Sequence, residues 1–142
     1  MLKGIPAIIS PELLKIMMEM GHGDEIVLAD GNFPAASNAM RLVRCDGHGI
    51  PELLDAVLKF LPLDIYVEKS VALMELVPGD DYDPVIWDKY EKIVEKQAPE
   101  HNDFQHVERF AFYERAKNAY AIVATGEQAL YANIILKKGV VN

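Results

Sequence analysis

The 142-residue sequence predicts one α/β domain over residues 1–142, a mostly parallel or mixed sheet flanked by helices. Two observations carry that expectation. Short apolar runs of strand length alternate along the chain with segments whose apolar residues recur at helical spacing. No repeat, low-complexity stretch or long linker divides the chain. A chain of this length can bury roughly 70% of its unfolded surface, so a core is available without metal or disulfide support.

Ser10-Pro11-Glu12 opens the first helix: serine can cap, proline suits the first turn, and glutamate favours the positive end of the dipole. Leu13, Leu14, Met17 and Met18 define its expected inner face, and Gly21 its stop. Glu25 to Asp30 reads as a short buried strand running into the loop Asp30-Gly31-Asn32-Phe33-Pro34. Arg41 to Arg44 predicts a second strand and Asp46-Gly47-His48-Gly49 a turn. A helix from Pro51 carries Leu53, Leu54, Val57, Leu58 and Leu61 on one side before Pro62.

Val71 to Val77 is strand-like, and Pro78-Gly79-Asp80-Asp81 breaks it. From Pro84, Trp87, Tyr90 and Val94 step along one side of a third helix. Gln97 to Asp103 reads as loop, Phe110 to Asn118 as helix, Tyr120 to Ala124 as strand, and Asn133 to Leu136 as the last strand. In such sheets ligands gather where strands end at their carboxyl termini, which directs attention to the Asp30–Pro34 loop.

A formal charge of −8 argues against nucleic acid or an anionic membrane as partner, because both require clustered Lys and Arg. Cys45 is the only cysteine, so no internal disulfide can form, as expected of a reducing compartment. Neither a signal peptide nor an apolar stretch of membrane-spanning length is apparent, and a cytoplasmic protein is expected. Signatures of cofactor chemistry are missing. There is no His-Glu-x-x-His, no Cys pair, no phosphate loop and no Gly-x-Ser-x-Gly elbow. Neither metal nor cofactor is expected.

The remaining chemistry is acid/base. His22 lies between two glycines after a helix, where few neighbours shield its imidazole; a histidine so placed is more often a helix-end or surface residue. Asp30 at a strand end is a site candidate or a turn cap. Asp64 is a candidate or a loop solubiliser. Strand alternation would put Tyr131 and Asn133 on one face, offering hydroxyl and amide groups or simply packing.

Several separated segments, Met20-Gly-His-Gly-Asp-Glu-Ile26, Asp30, Phe33-Pro34, Arg109-Phe-Ala-Phe-Tyr-Glu-Arg-Ala116, Thr125-Gly-Glu127, Tyr131-Ala-Asn133 and Lys137-Lys-Gly139, together resemble the L-fucose mutarotase family. That family is related to the D-ribose pyranases, and the resemblance runs from Leu2 to Val140. It implies a cofactor-independent isomerase that interconverts the anomers of free L-fucose by opening and reclosing the ring. His22 would be the proton donor and Asp64 a second acid/base group. Asp30, Met74, Arg109, Tyr113, Tyr131 and Asn133 would contact the sugar, with Asp30 alternatively orienting His22. The resemblance also implies self-association into a homo-oligomer, a decameric ring, with sites completed by a neighbouring chain. Asn32 stands where some bacterial members of the family have a histidine, and Ala132 where a glycine is common.

Overall fold

The computed structural model describes residues 1–142. The elements run α1 (Pro11–Glu19), β1 (Glu25–Ala29), α2 (Ala35–Asn38), β2 (Leu42–Cys45), α3 (Ile50–Leu58), β3 (Val71–Met74), α4 (Val85–Gln97), a 3₁₀ turn (Pro99–His101), β4 (Gln105–Val107), α5 (Arg109–Asn118), β5 (Ala121–Thr125) and β6 (Ile134–Lys137). One six-stranded sheet has the order β2-β5-β1-β6-β3-β4. Five strands point the same way. Only β6, paired with β1 and β3, runs against its neighbours.

Alternation along each strand divides the core into two layers. Ile26, Leu28, Val123, Ile134 and Leu136 face α1, α3 and α4, where Leu13, Leu54, Tyr90 and Val94 are buried among them. Val27, Ala29, Ala72, Ile122 and Ile135 face the thinner layer of α2 and α5. Alanines dominate the second contact: Ala29, Ala72 and Ala124 on the sheet meet Ala116 and Ala119 at α5. Small side chains let α5 lie close, and the buried Phe112 ring fills what space remains.

The Ser10 hydroxyl accepts the Leu13 N–H at 3.1 Å, as capping predicts, but Met20 rather than Gly21 ends α1. Its inner face is Leu13, Ile16 and Met17, whereas Met18 is 79% exposed. The residue beside Met17 that reaches the core lies one turn after Leu13, not one position further on. β3 stops at Met74, not Val77. Its partner β4 ends at Val107, and the pairing continues only through the Glu75 N–H to the Val107 carbonyl at 2.8 Å. Sequence reading missed β4 itself, since Gln105-His106-Val107 is a short, polar edge strand with no buried residue. The four-residue α2 was missed for the same want of length.

The antiparallel course of β6 fixes both edges of the sheet. At its carboxyl end the Gly23 N–H reaches the Lys138 carbonyl (2.8 Å), the Asp64 N–H the Lys137 carbonyl (3.0 Å), and the Gly139 N–H the Pro62 carbonyl (2.7 Å). Residues 62–64 are thereby stitched to the end of β6. A Cβ on Gly139 would fall 2.6 Å from the Leu63 carbonyl oxygen, closer than side-chain carbons approach such atoms. Gly139→Ala should therefore cost roughly 1–3 kcal/mol, the usual range for forced overpacking. Urea denaturation of the variant beside wild type checks this; equal midpoints would contradict it.

Candidate functional site

Because β6 is antiparallel, its beginning lies at the edge where the other five strands end. Asp30 follows β1 there, Met74 closes β3, Arg109 opens α5 just after β4, and Asn133 immediately precedes β6. These residues line a cavity of about 290 Å³ together with Tyr113 and Tyr131. Six of the eight residues singled out from sequence thus share one cavity. It is small for a ligand site, on the scale of a metabolite rather than a peptide.

The cavity is built from its backbone outward. The Asp30 N–H donates to Asn133 Oδ1 at 2.8 Å, tying the end of β1 to the start of β6. Asp30 Oδ1 accepts the Asn32 N–H at 3.0 Å, the Asx turn expected of an aspartate at a strand end. Thr125 and Glu127 brace this loop: the Thr125 hydroxyl donates to the Ala29 carbonyl (2.8 Å), and the Gly31 N–H to that of Glu127 (2.8 Å). Burial pushes the Asp30 carboxyl above its ordinary value, against the opposing hydrogen bonds from Asn32 and Asn133. Phe33 stands behind, its ring 5.4 Å from that of Tyr113.

Tyr131 precedes the strand instead of belonging to it, so strand alternation does not place it. Its φ of +57° makes it the one non-glycine residue in the left-handed region. For a side chain of this size that conformation is uncommon and costs on the order of 1–3 kcal/mol. Two residues of α4 hold it. The Trp87 indole N–H donates to the Tyr131 carbonyl at 2.8 Å, and the buried Tyr90 hydroxyl donates to the next carbonyl, Ala132, at 2.6 Å. Both residues were read from sequence as helix packing only. Val77, Asp80 and Leu130 also line the cavity, and the Pro78-Gly79-Asp80-Asp81 segment had registered merely as a breaker.

His22 and Asp64 lie elsewhere. His22 precedes β1 and Asp64 is pinned to the end of β6, which puts both at the opposite edge of the sheet. The five residues of β1 alone separate the two edges by about 17 Å at ordinary strand rise. Asp30 therefore does not orient His22 within one chain. Asp64 does: its Oδ1 lies 3.0 Å from His22 Nε2, and the Tyr66 N–H donates to the same oxygen at 3.1 Å. The imidazole is 46% exposed against a 4% exposed carboxylate, with the Tyr66 ring 5.4 Å away. Burial acts to raise the Asp64 pKa, but the Tyr66 and His22 hydrogen bonds and the charges of His22 and Lys137 outweigh it and hold the carboxyl below its ordinary value.

His48, in the turn after β2, is exposed and 3.9 Å from Glu52. No three His, Cys, Asp or Glu side chains gather as a metal-binding group, and no helix is long and apolar enough to cross a membrane.

A metabolite-sized cavity of mixed polar and apolar lining at the carboxyl edge of a nearly parallel sheet, with a hydrogen-bonded His22–Asp64 pair at the other edge, is the arrangement of a small-molecule-handling α/β protein. Comparison with known proteins narrows the class: the chain belongs to the RbsD / FucU transport protein family, whose pattern matches residues 3–141. It is 57% identical to the fucose mutarotase of Homo sapiens over 98% of this chain and 94% of that protein. Identity is 51% to the L-fucose mutarotase of Actinobacillus pleuropneumoniae serotype 5b, over 99% and 97% of the two chains. Among solved structures, the fucose mutarotase of Streptococcus pneumoniae in complex with L-fucose matches with a TM-score of 0.95 and 59% identity, covering 99% of this chain and 100% of that one. Bacillus subtilis RbsD complexed with D-ribose, 23% identical with a TM-score of 0.75 and full coverage of both chains, shares the fold.

Two outcomes are expected from this geometry. Trp87→Phe keeps most of the packing but removes the donor to the strained Tyr131 carbonyl. It should weaken ligand binding at the cavity by roughly tenfold, the effect of one lost hydrogen bond of about 1–1.5 kcal/mol, measurable by titration calorimetry. Asp64 is an acid favoured in its charged form. Its stabilisation is therefore complete above the unfolded-chain value of about 4 and is lost as pH falls through the lower folded value. The stability difference between wild type and Asp64→Asn, measured in urea, should be open near pH 6 and narrow steadily below about pH 4.

Proposed function

We propose that this protein is a cofactor-independent L-fucose mutarotase, interconverting the α and β anomers of the free sugar by acid/base-catalysed ring opening and reclosure. The observation that carries this reading is the convergence of Asp30, Arg109, Tyr113, Tyr131 and Asn133 on one small cavity. These are hydroxyl, amide, guanidinium and carboxylate groups of the kind that recognise sugar hydroxyls. Support comes from the L-fucose-bound Streptococcus pneumoniae relative, 59% identical along essentially the whole chain.

Mutarotation needs a proton delivered to the ring oxygen as another leaves the anomeric hydroxyl. The C1–O5 bond opens, the carbonyl turns its other face, and the ring recloses. Nothing is oxidised and no group is transferred. His22 serves as the proton donor, since an imidazole has one nitrogen to give a proton and can take it back when the sugar ring recloses. Asp64, the second acid/base group, fixes the imidazole; Arg109 and Asn133 hold hydroxyls.

In one chain the donor and the sugar cavity occupy opposite edges of the sheet, so the reading includes a homo-oligomer in which one copy's His22–Asp64 pair faces its neighbour's cavity. Both edges carry exposed apolar residues suited to such a contact. Ile65, Tyr66 and Val67 flank the pair; Val77, Phe110 and Leu130 flank the cavity. A decameric ring is the assembly proposed, acting in the cytoplasm.

Saturation-transfer NMR on L-fucose beside D-ribose and D-galactose tests the activity, with exchange on L-fucose well above the solvent rate expected. His22→Ala should lower that exchange by about two to four orders of magnitude. Mixing His22→Ala with Asn133→Ala subunits, each inactive alone, should restore part of the activity after dissociation and reassembly. Each mixed interface can then unite an intact donor with an intact cavity. Failure of reassembled mixtures to recover any exchange would exclude the shared site.

A further inference from the structure

Tyr131 makes three contacts with the loop after β3 that its place in the cavity wall does not require. Its hydroxyl donates to Asp80 Oδ2 at 2.6 Å and accepts the Val77 N–H at 3.3 Å, and its ring stacks on Tyr82 at 5.9 Å and 26°. A phenol carries one proton and two acceptor positions. With the proton committed to Asp80 and one acceptor position to Val77, a single lone pair is left for a ligand. Toward the cavity, Tyr131 is an acceptor. Asp80 itself lines the same cavity.

We propose that Asp80 is a positioning and relay residue: acting through Tyr131, it takes up the proton that leaves the anomeric hydroxyl. This rests on the mutarotase reading and completes it, because that reaction needs a proton acceptor opposite His22. The anomeric O–H gives its proton to Tyr131 Oη while Tyr131's own proton passes to Asp80 Oδ2. The C1–O5 bond breaks, its electron pair goes to the ring oxygen, and that oxygen takes a proton from the His22 imidazolium of the neighbouring copy. The C1 hydroxyl oxygen becomes the carbonyl oxygen. Reclosure on the other face returns both protons, and none is consumed.

The loop geometry supports the relay. Gly79, at φ +87°, turns the chain so that the Asp80 carboxylate comes back to Tyr131, and the Tyr82 N–H holds its other oxygen at 2.9 Å. The charged or titratable groups facing Tyr131 and Asp80 across the cavity are Arg109 and Tyr113 from α5 and Asp30 from the end of β1. Hydrogen bonding to Tyr131 and Tyr82 keeps the Asp80 carboxyl below its ordinary value and raises the Tyr131 phenol. Asp80 is thus a carboxylate at neutral pH.

The test compares L-fucose anomer exchange for wild type, Asp80→Asn and Asp80→Ala over a range of sugar concentrations, with melting temperatures alongside. Asparagine can still accept the phenol hydrogen bond and hold the loop, but it cannot take a proton. Asp80→Asn should therefore lower kcat by about 10²-fold with KM changed less than about threefold. Asp80→Ala should recover exchange as formate is added, since a small carboxylate can enter the open site. Wild-type exchange in Asp80→Asn, a loss expressed only in KM, or an Asp80→Ala variant that folds but ignores formate would each overturn the relay while leaving the mutarotase reading intact. Wild-type protein that leaves L-fucose at the solvent rate would sink that reading, and the relay with it.

Discussion

The direction of one strand organises this molecule. Had β6 run with its neighbours, Asn133 would sit at the amino-terminal edge of the sheet, and Lys137 would lie beside Asp30. Antiparallel insertion between β1 and β3 does the reverse. Asn133 accepts the Asp30 N–H at one edge, while the carbonyls of Lys137 and Lys138 hold Asp64 and Gly23 at the other. A shift of one residue along β6 would turn its core-facing side chains to the wrong layer and unmake both edges at once. Register at the centre of the sheet and geometry at the two functional edges are therefore one constraint.

The two buried carboxylates show how that frame sorts chemistry. Asp30 and Asp64 have similar exposure, at 8% and 3%, yet their acidities move in opposite directions. Desolvation is the largest influence on each. At Asp30 it prevails, because the partners are neutral amides and the nearby Glu127 charge adds to it. At Asp64 the imidazole of His22 and the ammonium of Lys137 supply positive charge, and a backbone N–H adds a directed bond. Here the cation-supported carboxylate stands beside the histidine, and the reluctant one lines the cavity at the other edge.

Much of this was legible in sequence because it was local. The apolar runs at Glu25–Asp30 and Tyr120–Ala124 point to strands, and Ser10-Pro11 to a capped helix, since those signals need no partner to be read. Strand direction did not follow from them; alternation of helix and strand left parallel and mixed sheets equally open. The short edge strand Gln105–Val107 is a strand only because β3 lies beside it. At the site, the resemblance named Tyr131 and Asn133, but the reason first offered, alternation on one strand face, was wrong. Tyr131 owes its orientation to a left-handed backbone clamped from α4, and a contact between residues 87 and 131 leaves no trace in local pattern. Asp80 was hidden more thoroughly, within a Pro-Gly-Asp-Asp run whose composition speaks only of a turn.

The separation of His22 from the cavity bears on why a mutarotase of this architecture would be an oligomer. In the isolated chain the imidazole is nearly half exposed. Water competes there for every proton it holds, and a bulk-solvated acid offers little over the uncatalysed reaction. No movement of loops within one chain can bring the group across a sheet five residues deep. A second copy can supply what one chain cannot, covering the exposed imidazole, excluding water from the cavity mouth and burying the apolar residues at both rims in the same contact. The free energy of association and the environment needed for proton transfer then come from one surface. Under the proposed function, assembly would be a component of the active site rather than an addition to a finished one.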